Sequence, residues 1–245
     1  MNPSRALLED YASSHSGEKM KTTKILFNRE SAIAYRQGRK CRTQRVINPQ
    51  PEDGMVFGGA ILESTDKKVR RGDCFFYAGD LPMVERQIHI RCPYGQPGDR
   101  LQLLTGWAVP KEYDDHKPSD LLGSNLHCED IWTYFDSDQK PECLGRLRSQ
   151  LFMPGWLRDV MPHPKIISIE ARRLHEIAED ECIEEGVFPI PSNSPSRLKI
   201  PSSPYMEEYA NVWNRINAKR GYPWESNPWV WNIEMEKWHD ACKET

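Results

Sequence analysis

The sequence predicts an α+β protein in which short strands alternate with a few amphipathic helices. Two observations predict this class. Short apolar or β-branched runs recur along the chain and are separated by Gly, Pro and Asn turns. Apolar residues at spacings of three and four mark a helix near the C-terminal end. With 245 residues, of which 38% are hydrophobic, the chain is long enough to bury a core without disulfides or a metal.

The first predicted elements lie between residues 24 and 47. Residues 24–27 form a strand, Asn28 caps a short helix, and Gly38 ends that helix. Residues 43–47 form a second strand, because two prolines in the following Asn-Pro-Gln-Pro turn prevent the ladder from continuing.

The middle and C-terminal parts carry the remaining elements. Residues 55–108 are predicted to be strands and turns, and a polar, aspartate-rich surface insertion follows at about 109–147. Residues 189–204 contain five prolines and five serines, which predicts an irregular excursion. The other expected elements are strands at 75–77, 88–90, 101–104, 166–172 and 229–235, an acidic helix at 174–185 stopped by Gly186, and an amphipathic helix at 206–216.

We therefore predict one domain at 23–238, a flexible N-terminal tail at 1–22 and a C-terminal tail at 239–245. Apolar runs are far shorter than the roughly 20 residues needed to cross a bilayer. Seven cysteines without tight pairing favour reduced thiols. These features predict a cytoplasmic protein with no membrane partner, in the host cytoplasm if a phage encodes it.

The net charge of −3 excludes a globally basic nucleic-acid binder, so any such role depends on local patches. Basic residues cluster at 36–45, 67–71 and 219–220, and acidic residues cluster at 176–185 and 234–236. This asymmetry fits a groove for a polyanion, and it equally fits a solvated charged face.

The basic stretch 38–45 is the best clue to function, because Lys40 precedes Thr43 by three residues between a helix and a strand. A partly desolvated lysine with a lowered pKa can take the proton of a threonine hydroxyl, and neighbouring arginines favour that lowering. Alternatively, the cations bind a phosphate and the Thr43 hydroxyl only forms a hydrogen bond with a backbone group. The candidate phosphate or nucleic-acid contacts are Arg39, Lys40, Arg42, Arg45, Lys219 and Arg220.

This stretch, with its Gly-x-Lys turn, Thr-x-Arg strand and Pro-Gln-Pro turn, resembles the opening of ASCH-domain proteins of bacteriophages and prophages. Further blocks resemble the same group in the same order. The matching blocks are residues 34–51, 92–101, 152–156, 184–186 and 217–231.

The resemblance implies a PUA-like fold, a small twisted β-barrel with flanking helices, in a superfamily associated with RNA and modified nucleotides. One small bacterial ASCH enzyme hydrolyses N4-acetylcytidine, and its active Lys, Thr and Glu fall by motif position on Lys40, Thr43 and Glu185. In this interpretation Thr43 attacks the amide or activates water, Lys40 shuttles the proton and Glu185 orients the leaving amine or a water. Another relative is described as a ribonuclease, so the resemblance leaves the reaction open.

Two departures bear on the activity. After the Pro-Gly-Asp turn, relatives usually have Leu-Trp-Val-Arg-Glu-Thr-Trp, whereas residues 101–107 here read Leu-Gln-Leu-Leu-Thr-Gly-Trp and lack the Arg and Glu. Cys41 also stands where a threonine is usual. If those charges line the groove in relatives, this protein binds a less charged ligand or has lost a catalytic step.

Three further expectations complete the prediction. Trp156 and Trp224, flanked by Gly and Pro, are candidate platforms for stacking a base. We expect no metal, because the His and Cys residues lack paired ligand spacing, and no cofactor, because nucleotide-type glycine loops are absent. The expected partner is a nucleotide or single-stranded RNA or DNA, recognised with or without hydrolysis. A protein-interaction factor that binds a host protein, in counter-defence or phage assembly, is the third alternative.

Overall fold

The computed structural model describes residues 20–61, 68–69, 72–78, 87–122, 124, 126–189 and 203–238. It confirms the α+β class, with short strands and few helices. The strands are β1 (Thr22–Leu26), β2 (Arg42–Val46), β3 (Met55–Ala60), β4 (Cys74–Ala78), β5 (Gln87–Ile90), β6 (Arg100–Leu104), β7 (Trp107–Ala108), β8 (Trp132–Thr133), β9 (Ile166–Arg173) and β10 (Trp229–Met235). The α-helices are α1 (Arg29–Arg36), α2 (Gly155–Arg158), α3 (Glu179–Glu184) and α4 (Pro204–Asn217).

The strands form four small sheets. β2, β10 and β9 pair in that order as an antiparallel sheet, and β3, β4 and β5 form a second. β1 pairs with β6 in parallel, and β7 pairs with β8. Over the described residues, none of these sheets closes into a barrel.

Strand β10 separates two hydrophobic cores because its side chains alternate. Trp229, Trp231 and Ile233 pack into the larger core with β1 and β6. Val230 faces the opposite way, into a smaller core that α4 forms with the segment around α3. Since β2 is paired with β10, each β2 side chain shares the face of its β10 partner, which fixes the layout of the candidate site.

Capping side chains and a glycine mark the helix ends, and Asn28 caps α1 as predicted. The Asn28 side chain accepts a hydrogen bond from Ser31 N at 2.8 Å at the start of α1. Ser203 caps α4 in the same way, accepting from Met206 N at 3.3 Å. Gly221 follows α4 with a φ of 90°, a conformation that glycine adopts without strain.

The predicted acidic helix at 174–185 is shorter than expected. A 3₁₀ turn covers Leu174–Glu176, and α3 begins only at Glu179. Ala178 between them is extended, and its N–H donates to the Glu181 carboxylate at 2.9 Å. This side-chain acceptor replaces the carbonyl that a continuous helix would supply.

The insertion at 109–147 is more integrated than a polar surface loop. It contains β8, and Ile131, Trp132 and Phe135 are buried. The Arg148 guanidinium donates to the Tyr113 carbonyl at 2.6 Å and to the His116 carbonyl at 2.9 Å. The aspartate-rich composition therefore conceals apolar residues that join the main core.

The chain ends and the Pro/Ser-rich excursion lie mainly outside the described residues, which exclude 1–19, 190–202 and 239–245. Strand β1 begins at Thr22, two residues before the predicted start of the first strand. Among the helices that the structure describes, none has the length and apolar character to cross a membrane.

Candidate functional site

The basic turn after α1 places Lys40 inside the protein. Gly38 has a φ of 70°, and the N–H groups of Arg39 and Lys40 both donate to the Ala34 carbonyl at 3.0 Å. This tight reversal directs the chain back across the helix before β2 begins. The Lys40 side chain is consequently only 2% exposed.

Lys40 and Glu185 meet at the end of α3. The Lys40 Nζ donates to the Glu185 backbone carbonyl at 2.9 Å and also to the Glu185 carboxylate Oε2. Cys41 N donates to the Glu184 carbonyl at 2.9 Å, so the backbone joins the two segments beside the ion pair. Two of the three predicted catalytic residues are therefore in direct contact.

Burial lowers the pKa of the Lys40 amine, and the charge of Glu185 opposes this effect. The Glu185 side chain is 9% exposed, so water screens the pair weakly. The net direction is downward, which increases the fraction of Lys40 that holds a free amine at a given pH. That is the direction required of a lysine that acts as a base.

The second Glu185 oxygen binds the free edge of β2, accepting the backbone N–H of Gln44. On the far side of that residue, Gln44 Oε1 accepts from the Tyr209 hydroxyl at 3.0 Å. Burial raises the pKa of Tyr209 well above its usual value, so this hydroxyl keeps its proton and donates. The chain of contacts from Lys40 to Tyr209 holds the Glu185 carboxylate in one place.

Thr43 lies one residue along β2, with its side chain on the face opposite that of Gln44. It is paired with Ile233 of β10, and it is 3% exposed. Thr43 therefore shares the face of Arg45, which is paired with Trp231. Glu185 thus binds the edge of β2 at the residue that follows Thr43, and Lys40 contacts Glu185 there.

Arg45 is a partly buried cation with no salt bridge among the described residues. Its Nη2 donates to the Leu26 carbonyl at 2.9 Å, and its Nε is buried without a partner in the described part of the chain. Burial lowers the pKa of the Arg45 guanidinium; nearby Tyr94, Glu185 and Tyr209 oppose this effect, and the charge of Arg220 adds to it. Such a cation can bind an anionic ligand at low desolvation cost.

Two other predicted phosphate contacts are already engaged within the protein. Arg42 points to the helix-facing side of β2 and pairs with Glu184 at 2.9 Å, Glu181 at 3.4 Å and Glu234 at 3.7 Å. Arg39 donates to the Gly186 carbonyl at 2.7 Å. Neither guanidinium is therefore free to bind a phosphate.

Lys219 and Arg220 lie in the exposed 3₁₀ turn that follows α4. The Arg220 Nη1 donates to the Asn217 side chain at 3.2 Å, and no salt bridge neutralises either cation among the described residues. Of the basic stretch at 67–71, only residues 68 and 69 belong to the described part of the chain.

The two predicted stacking residues have different environments. Trp224 is only 7% exposed, and its ring contacts His175 at 4.6 Å and Tyr209 at 6.1 Å between centroids. This placement favours packing over stacking of a base. Trp156 is half-buried against the main core, and its Nε1 is buried with no partner among the described residues.

Sequence reasoning missed three residues around this site. Gln44 and Tyr209 support Glu185 through hydrogen bonds, and Phe188 lies exposed beside Arg39. A polar residue in a strand and a tyrosine in an amphipathic helix are too common to mark a site. The contacts depend on how distant segments meet, which no local pattern contains.

No family model, curated protein or solved structure matches the chain. Across the residues that the structure describes, no group of three or more His, Cys, Asp or Glu side chains is placed to hold a metal ion.

Proposed function

We propose that the chain is an ASCH-like, PUA-related protein of phage or prophage type, active in the cytoplasm. We further propose that the edge of β2 is a hydrolytic site for an acylated nucleoside amide. The observation that carries the proposal is the buried contact between Lys40 and Glu185 beside Thr43.

The reaction proceeds in the fraction of molecules in which Lys40 has lost the proton of its ion pair with Glu185 and holds a free amine, a fraction that the lowered pKa of Lys40 increases. Lys40 takes the proton of the Thr43 hydroxyl while the oxygen attacks the amide carbonyl of the acyl group. The carbon–nitrogen bond breaks, and the leaving amine takes a proton from the Lys40 ammonium. A water, deprotonated by the Lys40 amine, then attacks the acyl ester on Thr43; the bond between the acyl carbon and the Thr43 oxygen breaks, the Thr43 oxygen takes the proton back from the Lys40 ammonium, and a carboxylic acid leaves. Glu185 holds the Lys40 amine in position and orients the leaving amine or the water.

The internal ion pairs favour hydrolysis over a simple phosphate grip. A phosphate would have to displace the Glu185 carboxylate from Lys40 or one of three carboxylates from Arg42. Displacement from Lys40 would leave the Glu185 carboxylate, which is 9% exposed, beside the ligand without its cation, which is costly. A neutral acyl amide needs no such displacement.

The test is incubation of the purified protein with N4-acetylcytidine and other acylated nucleosides, with products read by mass spectrometry. We expect deacylated nucleoside from the wild type, none from Thr43→Val, and partial activity from Thr43→Ser, which restores the hydroxyl. Thr43→Val is close in shape to threonine, and circular dichroism checks that it folds. Equal product from wild type and Thr43→Val would overturn this mechanism.

A second candidate is recognition of a nucleotide or single-stranded RNA without hydrolysis. It is favoured by Arg45 and Arg220, which lie near one another with no salt bridge to a carboxylate among the described residues. The test is filter retention of single-stranded RNA as salt is varied, with Arg45→Gln and Arg220→Gln beside the wild type. Salt-sensitive binding without deacylation would establish this function instead.

A further inference from the structure

An exposed aromatic ring lies next to the candidate site, and it has a guanidinium on one face. Phe188 is 64% exposed, although it follows Glu185 by only three residues. The Arg39 guanidinium carbon lies 4.1 Å from the centre of the Phe188 ring. The pair therefore presents an exposed aromatic ring close to the candidate site.

Arg39 is held rigidly, so the pair is preorganised. Its Nε and Nη2 both donate to Gln37 Oε1, at 3.0 Å and 2.8 Å, and its Nη1 donates to the Gly186 carbonyl at 2.7 Å. Hydrogen bonds thus fix the plane of the guanidinium against the loop that carries Phe188. A ligand that stacks on Phe188 loses little entropy in ordering this surface.

The loop itself is also anchored close to the site. Gly186 has a φ of 88°, and a Cβ built on it would lie 2.5 Å from the Ala34 Cβ and 3.3 Å from the Lys40 Cβ. The backbone that leads from Glu185 to Phe188 therefore packs directly against α1 and Lys40. Phe188 therefore lies in a segment that packs against Lys40 and follows Glu185 by three residues.

We propose that Phe188 and Arg39 form a stacking platform for an unpaired base of single-stranded RNA, adjacent to the nucleoside held at Lys40 and Thr43. This inference rests on the proposed function, because it takes the neighbouring site to hold a nucleoside. It identifies the substrate class as a modified base within an RNA strand. A base stacks on the open face of the aromatic ring, and the Arg39 guanidinium makes a cation–π contact with the opposite face.

Charge supports RNA as the occupant of this surface. Arg45 lies close enough to both Glu185 and Arg220 to interact with their charges, and Arg45 and Arg220, which form no salt bridge among the described residues, can supply cations for a phosphate backbone. An apolar peptide would gain nothing from those cations. Alternation of aromatic and basic side chains is typical of single-strand binding surfaces.

The experiment uses the full chain and a short single-stranded RNA that carries one 2-aminopurine, whose fluorescence is quenched by stacking. We expect Phe188→Ala and Phe188→Leu to weaken RNA binding roughly 5- to 150-fold and to abolish the quench. Phe188→Tyr keeps a π face and should bind within about twofold of wild type. The matched control is Ile183→Ala, which removes another exposed apolar side chain, 43% exposed, from the same segment.

The outcomes separate this inference from the proposed function. Wild-type binding by both Phe188→Ala and Phe188→Leu overturns the platform even if Thr43-dependent hydrolysis is found. A Phe188-dependent quench in a protein that hydrolyses nothing supports the platform and rejects the hydrolase. Equal losses in Phe188→Leu and Phe188→Tyr would show that a π face at this position does not support binding, and would also overturn the inference.

Discussion

The Lys40 ammonium and the Glu185 carboxylate form a buried ion pair although the two residues are 145 positions apart in the chain. The contact links the turn after α1 to the end of α3. Both ions have lost most of their hydration, so their stability depends on each other and on the Gln44 N–H that Glu185 also accepts.

Removing one partner of this ion pair is expected to lower the free energy of unfolding more than removing both partners. Lys40→Met leaves the Glu185 carboxylate buried without its cation, and the free energy of unfolding should fall by about 3–5 kcal/mol. Lys40→Met combined with Glu185→Gln removes both charges and should restore much of that loss. Urea denaturation of both singles and the double measures the coupling. Additive losses in the double would show that the two side chains do not depend on each other.

A second prediction concerns Gly186, because its position has no room for a side chain. A Cβ there would approach the Ala34 Cβ to 2.5 Å, and φ is 88°. Gly186→Ala should therefore lose more stability than the roughly 1–2 kcal/mol expected for the left-handed conformation alone. Gly38→Ala is the matched control, since Gly38 has a φ of 70° but no atom within 4 Å of the point where a Cβ would lie. Thermal denaturation that ranks the two variants in the reverse order would contradict the packing described for this loop.

The elements that the sequence predicted best are those with local signals. Asn28 and Gly38 bracket α1, and Tyr209 and Trp213 of α4 are buried as its apolar spacing predicts, whereas Ile216 is 45% exposed. The pairing of β2 with β10 could not be predicted from the sequence, because strand register depends on where distant strands meet. Arg42 shows the consequence. It was a predicted phosphate contact, but Glu184, which lies 142 positions away, accepts its hydrogen bond.

The candidate site was predictable only in part. Lys40, Thr43 and Glu185 came from the resemblance to ASCH proteins, and the structure brings Lys40 and Glu185 into contact. The roles of Tyr209 and Phe188 could not be predicted, because an aromatic residue is commonly a core residue. The sequence contains no signal that separates the buried ring of Trp224 from the exposed ring of Phe188.

A third prediction follows from the buried thiols. Burial raises the pKa of Cys74, Cys92 and Cys182 from 9.0 to about 12. The unfolded chain thus loses these protons above pH 9 while the folded chain keeps them, so stability is intact below about pH 9 and declines between about pH 9 and 12. In this range each thiol lowers the free energy of unfolding by up to about 1.4 kcal/mol per pH unit.

Urea unfolding at pH 8 and pH 10.5, at constant ionic strength, measures this decline. Cys182→Ala is the control variant, because removing one titrating thiol should reduce the slope whatever the variant's stability at pH 8. Tyr209 adds to the decline above pH 10, since its pKa is also raised. Stability that is constant or rises over this range would contradict the burial of these groups.

The last prediction separates Arg42 from Arg45 by their contribution to nucleic-acid binding. Each cation that contacts a phosphate adds about 0.7 to the magnitude of the slope of log K against log salt for a single strand. Arg42 is 13% exposed and is paired with Glu181, Glu184 and Glu234, so Arg42→Gln should leave the RNA slope unchanged. Arg45 has no such partner among the described residues, so Arg45→Gln should reduce the slope by about 0.7. Filter binding from low to moderate salt measures both. A reduced slope in Arg42→Gln would mean that RNA displaces the carboxylates from Arg42, and that the internal ion pairs do not exclude a phosphate from this side of β2.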